Sequence, residues 1–370
     1  MLTKSHSRPK IKSGRQIMAL RYNEEVDKNN TLKLRKMLAN LPESCSTFMR
    51  GIEQRTESRT RIAYAYDLSV FFTYLRDEVS RFHGKQLTAF TLEDIESITV
   101  LEIEKYVDTL KYRVRQNPDG SETELLNSPS GIKRKLSSLK SFYRYLYKDQ
   151  LIQKNPAELV DMPKLRDHDI IRFDDNEVAD FLDEVDSGDQ LTERQAKYHA
   201  KTGRRDSAMM NLMLGTGIRV SECVGLNIND VDFNNDGIRI HRKGGKEVTV
   251  YFGDEVEREL RSYMEYRKTI TALPGHEEAL FLSMQKKRIS VNAVENLVKK
   301  YAKVVTPLKH ITPHKLRSTY GTNLYKETGD IYLVADVLGH NDVNTTKKHY
   351  AALEDERRRS ARNKVHLRED

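Results

Sequence analysis

The sequence of 370 residues has only two cysteines, Cys45 and Cys223. Such a pair forms neither a disulfide framework nor a metal site, and it fits a reducing compartment. No apolar run approaches the roughly 18–20 residues of a membrane-spanning helix, and the first residues lack the apolar segment of a secretory signal. We therefore expect a cytoplasmic protein without membrane association.

Charge is the next property that the sequence shows. Lysine and arginine number 63 against 55 aspartate and glutamate residues, which gives a net charge of +8. This balance favours a polyanionic partner such as nucleic acid, although a soluble protein that binds nothing charged has the same composition. The length is sufficient for two ordinary domains.

Changes of pattern along the chain divide it into segments. The fold class that they predict is mainly α-helical, in two domains, with a small antiparallel β-sheet or hairpin. The predicted segments are a basic N-terminal extension over 1–50, a helical domain over 51–154, a linker over 155–172, a second domain over 173–352 and a tail over 353–370.

Helices with one basic face mark the first domain. Ser58 can begin one helix and Ser130 another, and residues 117–131 between the helical stretches look like a polar loop. A basic helix face is often only solvated, but interleaved tyrosines and hydroxyl donors favour contact with DNA here. The candidate DNA contacts are Arg59, Arg61, Lys133, Arg134, Lys135, Lys140 and Arg144.

The second domain combines apolar helices with one hairpin. Ile238 and Ile240 alternate with polar residues, as do Val248 and Val250, and the intervening RKGGK supplies a turn. Residues 183–205 are mostly polar and look like an insert.

Six polar residues of the second domain form a candidate catalytic set. Thr312-Pro313 predicts a helix start that places His314 and Arg317 one turn apart on one helix face. The full set is Arg219, Lys243, His314, Arg317, His340 and Tyr350. At the turn, Lys246 and Arg242 compete with Lys243, which we prefer because it occupies the first turn position.

These side chains suit the transfer of a phosphodiester. Two guanidinium forks match the non-bridging oxygens of one phosphate and stabilise the charge of its transition state without a metal. A tyrosine hydroxyl becomes a nucleophile once a base or cations help it lose its proton. A lysine on a turn can protonate the leaving oxygen.

Four stretches of this sequence resemble the tyrosine recombinase, or phage integrase, family. They are GTGIRVSECVGL over 215–226, RKGGK over 242–246, TPHKLR over 312–317 and LGHNDVNTTKKHY over 338–350. Ser318 departs from the histidine that many relatives have after Arg317. The layout resembles Xer-type recombinases and the integrases of phages and conjugative transposons.

The resemblance implies a role for each residue. Tyr350 attacks the scissile phosphate to give a 3′-phosphotyrosine and a free 5′-hydroxyl, Arg219 and Arg317 bind the phosphate, and Lys243 protonates the leaving oxygen. His314 acts as acid or base near the tyrosine, and His340 donates to the phosphate. Glu222 supports Arg219. No cofactor, metal or ATP is implied.

The resemblance also implies an assembly on double-stranded DNA. The first domain becomes a core-binding, SAM-like domain that completes a C-shaped clamp with the catalytic domain. Four protomers join two sites through a Holliday junction, the tail of one docking on its neighbour, with accessory DNA-bending proteins as further candidate partners. The polar insert and basic N-terminus favour a mobile element.

The same residues are compatible with two other functions. A type IB topoisomerase-like enzyme would nick and seal DNA by the same chemistry without joining two sites. A non-catalytic DNA-binding protein could retain the same scaffold.

Overall fold

The computed structural model describes residues 22–116, 119–165, 171–242, 246–339 and 343. The chain divides into two compact units, Met1–Asp167 and His168–Asp370. Both are mainly helical, as predicted, and the strands form two small antiparallel sheets. Among the described residues, no helix combines the length and apolar character needed to cross a membrane.

The first unit is a helical bundle built around an aromatic core. Phe71 packs edge-on against Tyr106, and Phe142 packs edge-on against both Phe48 and Phe72. Its helices are α1 (Tyr22–Leu38), α2 (Glu43–Gly51), α3 (Ser58–Glu78), α4 (Leu92–Glu96), α5 (Val100–Lys111) and α6 (Pro129–Lys148).

Helix α6 confirms the predicted amphipathic pattern. The Ser128 hydroxyl caps it by accepting from the Gly131 N–H at 3.2 Å, and Pro129 occupies the first turn. Ser128, rather than Ser130, therefore precedes the helix, because proline suits the first helical position. Its buried face contains Ile132, Leu136, Leu139, Phe142, Tyr143 and Leu146.

The first unit extends beyond the range 51–154 that the sequence indicates. Leu34 of α1 and Phe48 of α2 are buried in the same core, so residues 22–50 belong to this unit rather than to an extension. At the other end, Ala157 and Val160, within the predicted linker, are buried in that core too. Apolar positions too sparse to give a clear pattern still supply core side chains.

The stretch predicted as a polar loop, 117–131, includes one strand of a hairpin. Strand β1 (Tyr112–Gln116) pairs antiparallel with β2 (Glu122–Leu126), with Val114 opposite Glu124. The loop prediction is wrong for β2, because its side chains alternate only between exposed and partly buried and form no buried apolar face.

The second unit surrounds one long helix. Helix α8 packs against α7, α10 and α12. The helices of this unit are α7 (Asp175–Ser187), α8 (Glu193–Thr216), α9 (Val220–Gly225), α10 (Asp254–Lys268), α11 (Val291–Val305), α12 (Pro313–Thr328) and α13 (Ile331–Leu338).

The residues predicted as a polar insert lie largely in helices. Helix α7 continues to Ser187, and α8 begins with a capping box between Thr192 and Gln195. Much of this stretch faces solvent, so its helical turns carry no apolar stripe.

The predicted hairpin of this unit is present. Strands β3 (Val231–Asp232), β4 (Gly237–His241) and β5 (Glu247–Tyr251) form an antiparallel sheet in that order. Ile238 pairs with Val250 and Ile240 with Val248, and both isoleucines are buried. The alternation therefore identified the core-facing side of β4 correctly.

Candidate active site

Arg219 stands at the junction between α8 and α9. Helix α8 ends at Thr216, and the next residue, Gly217, has a left-handed φ of +64°. A Cβ on Gly217 would lie 2.4 Å from Tyr320 Cδ1. Only glycine combines this turn with such close packing against α12. Arg219 then caps α9, so the turn fixes where its side chain starts.

Glu222 orients Arg219 from one turn further along α9. Its carboxylate accepts the Arg219 backbone N–H at 2.7 Å and the Nη1 group at 3.0 Å. The Glu222 side chain is 5% exposed and that of Arg219 is 41% exposed. The buried acid thus holds a guanidinium that remains accessible to an anion.

Arg317 is buried and bridges two segments. It lies on α12, where Nη1 donates to the Gly217 carbonyl at 2.6 Å and Nη2 donates to the Leu338 carbonyl. The first acceptor belongs to the α8–α9 turn and the second to the end of α13. Arg317 therefore ties the segment that presents Arg219 to α13.

The end of α13 brings three arginines together. Arg219 Nη2 donates to Gly339 O at 3.1 Å, and Arg317 donates to Leu338 O. Arg242 Nη2 donates to Val337 O at 2.7 Å, with Nη1 3.4 Å from Asp336 O. Four consecutive carbonyls, from 336 to 339, thus accept from guanidinium groups. The last carbonyls of a helix have no partner within it and carry partial negative charge, so cations gather there.

The histidine of the first turn of α12 is exposed. His314 precedes Arg317 by three residues, as predicted, and its carbonyl accepts the Ser318 hydroxyl at 3.0 Å. Both residues therefore lie near the N-terminus of α12, where the His314 side chain is exposed and that of Arg317 is buried.

Lys243, His340 and Tyr350 lie outside the described residues. Lys243 directly follows Arg242 in the sequence, and His340 directly follows Gly339. Their roles, like those of the other three candidates, stay predictions. Sequence reasoning treated Arg242 only as a competitor for Lys243; its helix-end contacts involve residues almost a hundred positions away and left no local signal.

The candidate DNA contacts of the first unit differ in accessibility. Arg61 and Lys135 are 8% and 7% exposed, and they bind Glu53 and Asn127, respectively. Both side chains therefore have partners inside the first unit, and their roles as DNA contacts stay predictions. Arg59 is exposed and Lys133 is partly buried.

Ion pairs hold two of the remaining candidates, and a hydrogen bond to a backbone carbonyl holds a third. Arg134 binds the buried carboxylate of Asp67 on α3 with both Nη groups. Burial raises the pKa of Asp67 above its usual value, and the neighbouring Arg134 opposes that rise. Arg144 binds both Glu158 oxygens, at 3.0 and 3.1 Å, and Lys140 donates to the Glu158 carbonyl. Arg134 and Arg144 nevertheless keep 46% and 65% of their side chains exposed.

The sequence of this chain is similar to that of a known protein family. The model of the Phage integrase family matches residues 172–357. The tyrosine recombinase XerC of Thermodesulfovibrio yellowstonii is 30% identical over 299 residues, covering 80% of this chain and 86% of the relative. That of Caldanaerobacter subterraneus subsp. tengcongensis is 32% identical over 317 residues, covering 83% and 82%.

Two solved structures share the fold. The XerH site-specific recombinase bound to a palindromic difH substrate has a TM-score of 0.65 and 17% identity, covering 90% of this chain and 88% of that one. The Tn1549 transposon integrase with circular intermediate DNA has a TM-score of 0.58 and 19% identity, covering 85% and 98%. The chain belongs to the phage integrase family and is a tyrosine-type site-specific recombinase.

Proposed function

We propose that this protein cuts and rejoins double-stranded DNA at specific sites through a 3′-phosphotyrosine and a Holliday junction. The observation that carries the proposal is the meeting of Arg219 and Arg317 at the end of α13, immediately before His340 in the sequence. One guanidinium is accessible and the other is fixed by buried carbonyls. Such fixed cations favour the extra charge of a pentacoordinate phosphate.

In the cleavage step, the Tyr350 oxygen attacks phosphorus as the bond from phosphorus to the 5′ oxygen breaks. His314 takes the tyrosine proton, and Lys243 gives a proton to the departing 5′ oxygen. Arg219, Arg317 and His340 donate to the non-bridging oxygens. In the reverse sense, the 5′-hydroxyl of a partner strand attacks the phosphotyrosine and releases Tyr350.

This chemistry conserves the phosphodiester bond energy in the covalent link. One bond to phosphorus replaces another in each step, so strand exchange needs no ATP. The arginines, Lys243 and the histidines supply the charge and protons, so the proposal requires no metal. We further propose that four protomers join two sites in the cytoplasm to move a mobile element.

Covalent trapping tests the proposal. The binding site is first selected from random duplexes with the Tyr350→Phe protein, which keeps every phosphate-binding cation. A duplex of that site carries a nick a few nucleotides 3′ of the scissile phosphate, so that the short fragment with the freed 5′-hydroxyl diffuses away after cleavage. This duplex is then incubated with the wild-type protein in EDTA. We expect a DNA-linked protein band on a denaturing gel, absent with Tyr350→Phe. A bound site that yields no band would contradict the covalent mechanism.

A further inference from the structure

The side chain of Arg242 connects the β4–β5 hairpin to α13. Its backbone N–H donates to the Lys246 carbonyl at 2.8 Å, which pairs the two sides of the hairpin just before the turn. Its side chain leaves the hairpin and reaches Val337 O at 2.7 Å. One residue is therefore fixed at both ends, by the hairpin through its backbone and by a helix through its guanidinium.

The Arg242 guanidinium lies in close contact with Gly339 at the helix end. A Cβ on Gly339 would lie 2.2 Å from Arg242 Nη1 and 2.4 Å from Cζ, so the guanidinium occupies the space that a larger residue would fill. Gly339 also has a φ of +62°, which glycine adopts without strain. A guanidinium is planar and carries its donors in a fixed fork, so two carbonyl acceptors define its orientation.

The contact joins two segments whose next residues belong to the proposed catalytic set. Lys243 follows Arg242, and His340 follows Gly339. Strand β3 pairs with β4 only at Gly237 and Ile238, at the end of the hairpin away from the turn. The β4–β5 ladder next to the turn, which ends with His241 opposite Glu247, gains no support from β3, and short two-stranded ribbons need outside packing. The Arg242 contact supplies such packing at the residue before Lys243.

We propose that Arg242 is a positioning residue: its contacts with α13 hold the hairpin so that Lys243 delivers its proton to the leaving 5′ oxygen. This inference rests on the proposed function, in which Lys243 is the general acid. Arg242 itself touches neither the phosphate nor the leaving group in this role. Its loss is therefore expected to reduce the general-acid step and to leave phosphate binding intact.

A change of leaving group separates this role from a purely structural one. In a substrate with sulfur in place of the bridging 5′ oxygen, the leaving group is a thiolate. A thiol has a pKa of about 8.5, whereas water, a guide to an alcohol, has about 15.7. The sulfur substrate therefore needs no general acid, and a defect in proton delivery disappears on it.

The experiment measures single-turnover formation of the covalent adduct by four full-length proteins on matched oxygen and sulfur substrates. They are the wild type, Arg242→Met, Lys243→Met and Arg239→Met. Arg239 is the control, because it lies on the same strand and donates to Asn229 O instead of α13. We expect Arg242→Met to be slowed about 10- to 100-fold on oxygen, the scale on which displacement of a catalytic group acts, and to match the wild type on sulfur.

The outcomes separate this inference from the function on which it rests. If Arg242→Met cleaves the oxygen substrate as fast as Arg239→Met, Arg242 does not position the hairpin. If it is slow on both substrates, it acts on the fold or on phosphate binding, and the inference is again overturned. In both cases a sulfur-rescued Lys243→Met leaves the proposed function standing. If Lys243→Met is not slowed on oxygen, or not rescued by sulfur, the role of Lys243 fails and the inference falls with it.

Discussion

Arg219 and Arg317 both donate to the end of α13, yet their side chains differ in how much of them is exposed to solvent. Arg219 shares its donors between Glu222 and Gly339, and 41% of its side chain is exposed. A guanidinium offers five N–H donors, so it can keep these contacts and still bind a phosphate. Arg317 is 5% exposed, and its two described acceptors are both backbone carbonyls. Arg219 is therefore the more accessible of the two proposed phosphate ligands, and Arg317 also joins two segments of the fold.

Replacing Arg219 by lysine tests its proposed role. Lysine keeps the charge but cannot hold Glu222 and a phosphate with one planar fork. We expect Arg219→Lys to form the covalent adduct about 100- to 1,000-fold more slowly, as for the loss of one fixed donor to a transition state. Affinity for the selected site should change little, since many other contacts bind DNA. Near-normal cleavage would refute the assignment of Arg219.

Replacing Arg317 by methionine should cost stability as well as activity. Methionine fills much of the same volume but leaves the Gly217 and Leu338 carbonyls without a donor. We expect Arg317→Met to lower the free energy of unfolding of the second unit by about 2–3 kcal/mol. Urea unfolding measures this, with Arg219→Met as the exposed counterpart. Equal stabilities of the two variants would mean that Arg317 is not a structural tie.

The start of helix α5 is held by a capping box and an ion pair that share one carboxylate. Glu102 closes a capping box by accepting the Thr99 N–H at 2.8 Å, and Arg81 binds the same carboxylate. The Arg81 guanidinium lowers the pKa of Glu102 from 4.5 to about 2, helped by Thr99 and opposed by burial. The start of α5 is thus joined to the segment that follows α3.

The lowered pKa of Glu102 gives a pH-dependent contribution to stability. Because the folded-state pKa lies below the unfolded value of 4.5, the contribution is complete above that value and is lost as the pH falls towards about 2. We expect Glu102→Gln to lower the free energy of unfolding by about 1–2 kcal/mol at neutral pH, allowing for the exposure of Arg81. Urea titrations at successively lower pH should show the difference shrinking. A constant difference would contradict the ion pair as its cause.

A buried polar cluster joins α8 to α11. Asp206 is fully buried and accepts from Arg205 at 2.6 and 2.9 Å, Tyr301 at 2.9 Å and Thr202 at 3.0 Å. Burial raises the pKa of the Tyr301 hydroxyl, so it stays protonated and donates to this carboxylate. Helix α8, whose first turns are mostly polar, is therefore fixed to α11 by hydrogen bonds in the protein interior.

Neutralising Asp206 should be far more damaging than removing one of its partners. Asp206→Asn leaves the Arg205 charge buried without its counter-ion, and we expect a loss of about 3–5 kcal/mol in unfolding free energy. Tyr301→Phe removes one donor and should cost about 1–2 kcal/mol. Asp183→Asn, at an exposed position of α7, is the matched control and should change stability by less than about 0.5 kcal/mol. Similar losses for Asp206→Asn and Asp183→Asn would show that the cluster is not stabilising.

These elements also show what sequence reasoning could reach. It found α6 and the β4–β5 hairpin because Leu136 and Ile238 belong to regular apolar patterns. It missed the β1–β2 ribbon and the polar turns of α8, whose exposed side chains carry no such pattern. It did not foresee that Arg61 and Lys135 are buried, because charged residues are exposed only on average. The meeting of three arginines on α13 depends on tertiary contacts, which local spacing does not encode.

At the scale of the whole molecule, the two units have separate cores, and the family match covers the second. The proposed cleavage chemistry belongs to that unit, whereas joining two DNA sites requires contacts between protomers. Cleavage and recombination should therefore be separable. A topoisomerase-like enzyme would show no such separation, since it acts on one site.

Deleting the tail, residues 353–370, makes the separation measurable. The deletion keeps all six proposed catalytic residues but removes the segment expected to dock on a neighbouring protomer. We expect the truncated protein to bind a single selected site with near-normal affinity, and to lose the slow-migrating two-site complex and recombinant products. The tail replaced by an equally long Gly/Ser segment is the control, and it should fail in the same way if docking is specific. Recombination by either protein would show that protomers assemble through other surfaces.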